Sequence, residues 1–161
     1  MIKAIHLDDR LIHGQVAISW TRFLDANVLL VVNDEIVNDS TRRNALKLGV
    51  PAGVKFGFRS VEDGIAFLNS NDSASYKIMV LINNPIDACK VALGVNQKVD
   101  RLTIGGVRKN APYVMDNLNL TDEDVEALKK VMSNGISVGV LPTPTDKFHD
   151  LEQVFNNLKG D

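Results

Sequence analysis

Asp8-Asp9-Arg10-Leu11-Ile12-His13-Gly14-Gln15 gathers two carboxylates, a guanidinium and an imidazole in one short string, followed by a glycine. An imidazole titrates close to neutrality, so a neutral, nucleophilic ring nitrogen is available near pH 7. Gly14 has no Cβ and lets a ligand approach the backbone. If a helix begins here, the amides of Gly14, Gln15 and Val16 are the unpaired donors of its N-terminus, a setting suited to phosphate. Arg10 offers a fixed positive charge and a fork of donors for phosphate oxygens. Asp8 or Asp9 can accept the second ring N–H and so fix the tautomer. Nucleophile, cation, amides and orienting carboxylate together describe a phosphoryl-accepting histidine. An isolated loop histidine is more often a solvated or capping group. The adjoining glycine, the nearby arginine and the position after a strand weigh against that here.

Such a string needs a scaffold, and the rest of the chain supplies one. Short apolar runs rich in Val, Ile and Leu recur at Ile2–Leu7, Val28–Val32, Val54–Phe58, Lys77–Ile82, Arg101–Ile104 and Ile136–Leu141. Most are continuous rather than alternating, the pattern of strands covered on both faces. Between them lie helical spacings. Val16, Trp20, Phe23 and Leu24 share one face of a first helix. Val61, Ile65 and Leu68 follow Ser60 as N-cap, and Asn84-Pro85 reads as cap plus first-turn proline, with Gly94 as the stop. Thr121 opens a helix carrying Val125, Leu128, Val131 and Met132 that Gly135 ends, and Leu151, Val154, Phe155 and Leu158 line a last one. Residues 107–120, with Pro112 and three Asn, are expected to hold a short edge strand or a surface excursion. The alternation predicts an α/β fold in a single domain over 1–161, with an open, mainly parallel sheet of about six or seven strands and helices on both faces.

In such sheets ligands bind outside the carboxyl ends of the strands. Those ends are Asp8–Gln15, Asn33-Asp34-Glu35, Asn83-Asn84-Pro85, Gly105-Gly106 and Pro142-Thr143, and the first is the densest in useful side chains. The formal net charge of −2 lacks the basic stripe of a nucleic-acid binder. A lone cysteine cannot form an internal disulfide, which points to a reducing compartment. No apolar run approaches the ~18 residues of a membrane span, and the N-terminus lacks a signal-peptide layout. A cytoplasmic protein is expected.

The string Ile5–Val16 closely resembles the signature of the IIB subunits of the bacterial phosphotransferase system, mannose/fructose/sorbose family. The resemblance continues through Trp20, Val31–Glu35, Asn84-Pro85, Ile104-Gly105-Gly106, Pro142-Thr143 and Thr145-Asp146, essentially the whole chain. It implies a relay. A IIA phosphohistidine gives its phosphoryl group to His13, usually through Nδ1, and His13 passes it to a sugar held by the membrane subunits IIC and IID. By the same resemblance Arg10 stabilises the phosphoryl group, Asp8 orients His13, and Gly14, Gln15, Gly105 and Gly106 neighbour the phosphate. No metal or organic cofactor is implied. Attachment to the inner membrane face through IIC and IID is implied, as is pairing of two copies. Mannose, fructose, sorbose and amino sugars fit it equally. One position departs from the family, which often carries Arg where this chain has His6. A buried strand histidine there leaves Arg43, Arg59 or Lys109 to compensate.

Cys89 lies mid-helix among Ala88, Val91 and Ala92 and reads as a packed small hydrophobe rather than a phosphate carrier. Trp20 reads as core and His149 as surface or cap. The segment Gly105–Lys109 follows a strand and could cradle phosphate, although a glycine pair alone is weak evidence for nucleotide binding. Leu11, Ile12 and Pro142 are expected as apolar flanks of a surface that a IIA partner reaches. A receiver-type signalling domain would need an acceptor Asp after the third strand, where Phe58-Arg59-Ser60 stands. A non-catalytic binding or regulatory module on the same fold is the remaining alternative.

Overall fold

The computed structural model describes residues 1–158. Among them the chain forms strands β1 (Ile2–Asp8), β2 (Val28–Val32), β3 (Lys55–Arg59), β4 (Ile78–Ile82), β5 (Arg101–Gly106), β6 (Tyr113–Met115), β7 (Leu118–Asn119), β8 (Ser137–Val140) and β9 (His149–Asp150). The helices are α1 (Gly14–Leu24), α2 (Ser40–Lys47), α3 (Val61–Leu68), α4 (Pro85–Gly94), α5 (Asp122–Ser133) and α6 (Leu151–Leu158). Seven strands make one sheet in the order β3-β2-β4-β1-β5-β8-β9, parallel except for the β8–β9 pair. The six apolar runs are its six parallel strands.

Alternate residues of β2 and β4 feed two cores, which is why those runs are continuous. Ile5, Leu7, Leu30, Val80, Ile82, Leu102 and Ile104 face α3 to α6, where Leu68, Val91, Leu128 and Phe155 meet them. Leu29, Val31, Met79 and Leu81 face the other side, against Ala17 and Trp20 of α1. Caps fix where helices begin. Ser60 accepts from the Asp63 amide, Asn84 from the Asp87 amide ahead of Pro85, and Thr121 with Asp124 forms a capping box. Gly135, at φ +85°, lies just past the end of α5.

Several expectations need correction. Of the two forms expected for residues 107–120, the chain takes the excursion, with β6–β7 a two-stranded hairpin separate from the main sheet, and not the edge strand. The edges of the main sheet are β3 and the short β9, which contains the exposed His149. Phe23 does not join Trp20 in the core. It is 67% exposed and meets the Trp20 ring edge-on. Helix α2 has no counterpart in the sequence reading, since none of its residues is buried.

The chain leaves β1 toward β2 and β3, whereas it leaves β5 toward β8. Neighbours β1 and β5 therefore send their connections to opposite sides, and a crevice opens at their carboxyl ends. There the register slips: Leu7 faces Ile104, but Asp8 faces Gly106, leaving Gly105 as the extra residue.

Candidate functional site

Asp8 ends β1 and is 1% exposed, at the floor of the crevice. Room for it comes from Gly105, where a Cβ would stand 3.0 Å from both the Asp8 Cγ and His6 Nε2. The carboxylate accepts from the Arg10 amide at 2.9 Å, Arg10 Nε at 3.2 Å and Arg10 Nη2 at 3.1 Å. Burial pushes its pKa up, but the side-chain and backbone hydrogen bonds from Arg10 and its charge outweigh this and hold it below the ordinary carboxylate value. An ionised carboxylate cannot donate, so the 3.3 Å contact with His13 Nε2 is an N–H donated by the imidazole. Nδ1 of His13 is then the nitrogen left with a lone pair.

The intervening turn is held from inside. Leu11 adopts φ +57° and donates its amide to the Asp8 carbonyl at 2.9 Å. That left-handed step, costly for a leucine, turns Leu11 and Ile12 into the core beside α1, where each is 4% exposed. They are therefore anchors of the loop and not the exposed flanks expected of them. His13 follows as the N-cap of α1, in extended conformation and with no side-chain cap bond. The Ala17 amide is the first to return to the His13 carbonyl, at 3.3 Å, which leaves the amides of Gly14, Gln15 and Val16 unspent by the helix. Gly14, at φ +37°, and Gln15 are exposed beside them. The result is a one-quarter-exposed imidazole, a half-exposed guanidinium and a helix N-terminus around one buried carboxylate. This arrangement can hold a phosphoryl group on a nitrogen. The likeness to known proteins runs the same way: a family model described as the PTS system sorbose subfamily IIB component matches residues 2–160.

The chain belongs to this family. It is 38% identical over 139 residues to a probable phosphotransferase enzyme IIB component of Streptococcus pyogenes, covering 83% of this chain and 85% of that one. It is 32% identical to the mannose-specific EIIAB component of Escherichia coli, covering 91% of this chain but 46% of that longer protein. The structure of the IIB domain of the Klebsiella pneumoniae sorbose permease superposes with a TM-score of 0.90 at 25% identity, covering 98% of this chain and 97% of that one. As a IIB component the protein relays phosphoryl groups from IIA toward sugar. Among its described residues no helix is long and apolar enough to cross a membrane.

In this IIB component the departure at position 6 has a definite structural form. His6 is fully buried, with Nδ1 2.7 Å from Thr103 Oγ1 and its ring 4.8 Å from that of Trp20. Burial lowers its pKa to about 4, despite the opposing pull of Asp8. His6 is thus neutral and supplies no cation. Arg43 bonds the Val37 carbonyl, Arg59 lies over the Phe67 ring at 5.3 Å, and Lys109 pairs with Asp124. None of the three compensates.

The cation that does enter the site is Arg108, part of the Gly105–Lys109 segment expected as a possible phosphate cradle but not singled out there. Its amide donates to Asp9 Oδ2 at 2.8 Å, its Nη1 pairs with Asp9 Oδ1, and the same nitrogen stands 3.6 Å from Asp8 Oδ1. Its one sequence signal is an arginine just beyond a glycine pair at a strand end. Asp9 is occupied with Arg108, and Asp8 is the carboxylate that bonds the imidazole. Of the remaining strand ends, Asn33 and Asn83 bond each other, Asp34 accepts from the Val61 amide, and the Pro142 carbonyl accepts from Trp20 Nε1 at 2.9 Å. They fasten the crevice. Cys89 is buried in α4, and burial raises its thiol pKa.

Proposed function

We propose that His13 carries the phosphoryl group of this relay on Nδ1. Its lone pair attacks the phosphorus of a IIA phosphohistidine in line. The new N–P bond forms as the IIA N–P bond breaks. In the second step a sugar hydroxyl, presented by the membrane subunits IIC and IID, attacks the same phosphorus. The His13 N–P bond breaks, the hydroxyl proton passes to water, and the sugar phosphate departs.

The observation that carries this reading is the hydrogen bond from His13 Nε2 to the ionised Asp8, which leaves Nδ1 as the only basic ring nitrogen. Arg10 spends Nε and Nη2 on Asp8 and keeps Nη1 for an equatorial phosphoryl oxygen. The amides of Gly14, Gln15 and Val16 supply donors in the field of the α1 N-terminus. Since charge is spread over three equatorial oxygens in the transition state, positioned donors supply most of the catalysis. Docking in turn with IIA and with IIC and IID places the protein at the inner face of the membrane. A non-catalytic module would have no use for a nucleophile set up in this way.

The test supplies phosphoenolpyruvate, the general phosphotransferase proteins and the cognate IIA. An acid-labile, base-stable adduct on the wild type, absent from His13→Ala, is expected. Label that persists in His13→Ala overturns the assignment.

A further inference from the structure

We infer that Arg108 is a second phosphate-binding residue of this site, turning from Asp9 to the phosphoryl group when His13 is loaded. The inference rests on the His13 reading and adds a residue to it. A phosphoryl group brings close to two negative charges and three acceptor oxygens. Arg10 has two of its five N–H donors, Nε–H and one Nη2–H, bonded to Asp8, and meets it with the rest. Arg108 has more to give. Among the described residues only its Nη1 is used by the side chain, on Asp9 and near Asp8, which leaves Nε and Nη2 without protein partners.

Its position is suited to the task. Arg108 approaches Oδ1 of Asp8 while His13 bonds Oδ2, so the guanidinium and the imidazole flank one carboxylate. The backbone there is fixed independently of the guanidinium. The Arg108 amide donates to Asp9 Oδ2 at 2.8 Å, and the Asp9 amide donates to the Gly106 carbonyl at 3.0 Å. The side chain is one-third exposed, so its head can turn while its root stays tied.

Gly106 is independent support. Its φ is not in the left-handed region, so the backbone there does not demand glycine. A Cβ at 106 would stand 2.6 Å from both Cζ and Nη2 of Arg108. The guanidinium thus packs directly on the bare backbone of Gly106, a contact that its flexible side chain can leave. The glycine pair at the end of β5 thus accommodates one anion-binding head and one carboxylate.

The test uses the full chain and phosphoramidate, a small phosphoryl donor that removes any dependence on IIA docking. Uptake is followed by ³¹P NMR, and the phosphoryl resonance is titrated with pH. Arg108→Ala is expected to slow uptake about ten- to a hundredfold, the effect of one charge-assisted hydrogen bond. It should also raise the pH at which the bound phosphoryl group ionises by about one unit, since a nearby cation favours the dianion. Arg108→Lys should recover part of both. A merely structural arginine would leave the ³¹P titration where it is in wild type. Arg108→Ala with wild-type uptake and titration overturns the role of Arg108 alone. Phosphoryl uptake undiminished in His13→Ala overturns the His13 reading instead, and the two failures are distinguishable.

Discussion

Oδ2 of Asp8 accepts from Nε2 of His13 at 3.3 Å, and this one bond leaves Nδ1 as the ring nitrogen with a lone pair. Asp8 is able to do so because Arg10, doubly bonded to it, keeps it ionised in a buried position.

Replacing Asp8 by Asn is therefore a tautomer experiment. The Asn amide can donate to Nε2, which moves the ring proton to Nδ1 and removes the lone pair that attacks phosphorus. Phosphoryl uptake from phosphoramidate should fall roughly a hundred- to ten-thousandfold, as in other sites where a carboxylate fixes a catalytic histidine. Nitrogen NMR of the ring should report the change of tautomer. Uptake at the wild-type rate would contradict the orienting role.

Two glycines of the site should respond to alanine for different reasons. At Gly105 a Cβ meets Asp8 and His6, both buried, and a crowded interior commonly costs about 1–3 kcal/mol. At Gly14 a Cβ meets nothing within 4 Å and only the φ of +37° is strained, a cost of about 1 kcal/mol. Urea unfolding should rank Gly105→Ala as the less stable, and its phosphoryl uptake should suffer most because Asp8 is displaced. The reverse ranking would mean that the slip in register absorbs the extra carbon.

Stability should fall on mild acidification because of His6. Its folded pKa is about 4, lowered chiefly by burial, against 6.5 in an exposed chain. Between those values the unfolded chain binds a proton that the folded one refuses. Stability is therefore lost as pH falls from about 6.5 toward 4, on the order of 3 kcal/mol in all. The carboxyl of Asp8, depressed in the folded state, gives up its contribution only at lower pH. Urea midpoints at pH 7 and pH 5 should differ less for His6→Gln than for the wild type. Equal differences would remove His6 as the cause.

Cys89 should be dispensable for phosphoryl transfer. It is buried against the α5 side of the core, and burial raises its pKa, away from a reactive thiolate. Cys89→Ala should take up phosphoryl at the wild-type rate while losing about 1 kcal/mol of stability to a small void. A phosphoryl adduct lost with the thiol would reassign the carrier.

The parts of the fold that follow from local pattern were legible. Six apolar runs were six strands, and Ser60, Asn84 and Thr121 announced their helices because a capping side chain acts over three residues. Helix α2, Ser40 to Lys47, buries nothing and so carries no apolar stripe. Strands β6, β7 and β9 are two or three residues long, too short to show a period. The site divides similarly. Asp8, Arg10 and His13 are contiguous in the chain and could be read together. Arg108 enters only because β5 lies beside β1 with a slipped register, a tertiary fact. Leu11 and Ile12 looked like surface residues because nothing in their types announces a left-handed turn.

The two guanidiniums at the crevice are already matched by two carboxylates before any phosphoryl group arrives. On the proposed reading, an incoming phosphoryl group does not meet bare cations. Arg10 shares itself between Asp8 and the newcomer, Arg108 gives up Asp9 for it, and the net gain in binding is small. A site of bare arginines would grip its cargo and become a store. One whose cations always have somewhere to return keeps the affinity for the cargo low, so that hand-over to the next acceptor runs downhill.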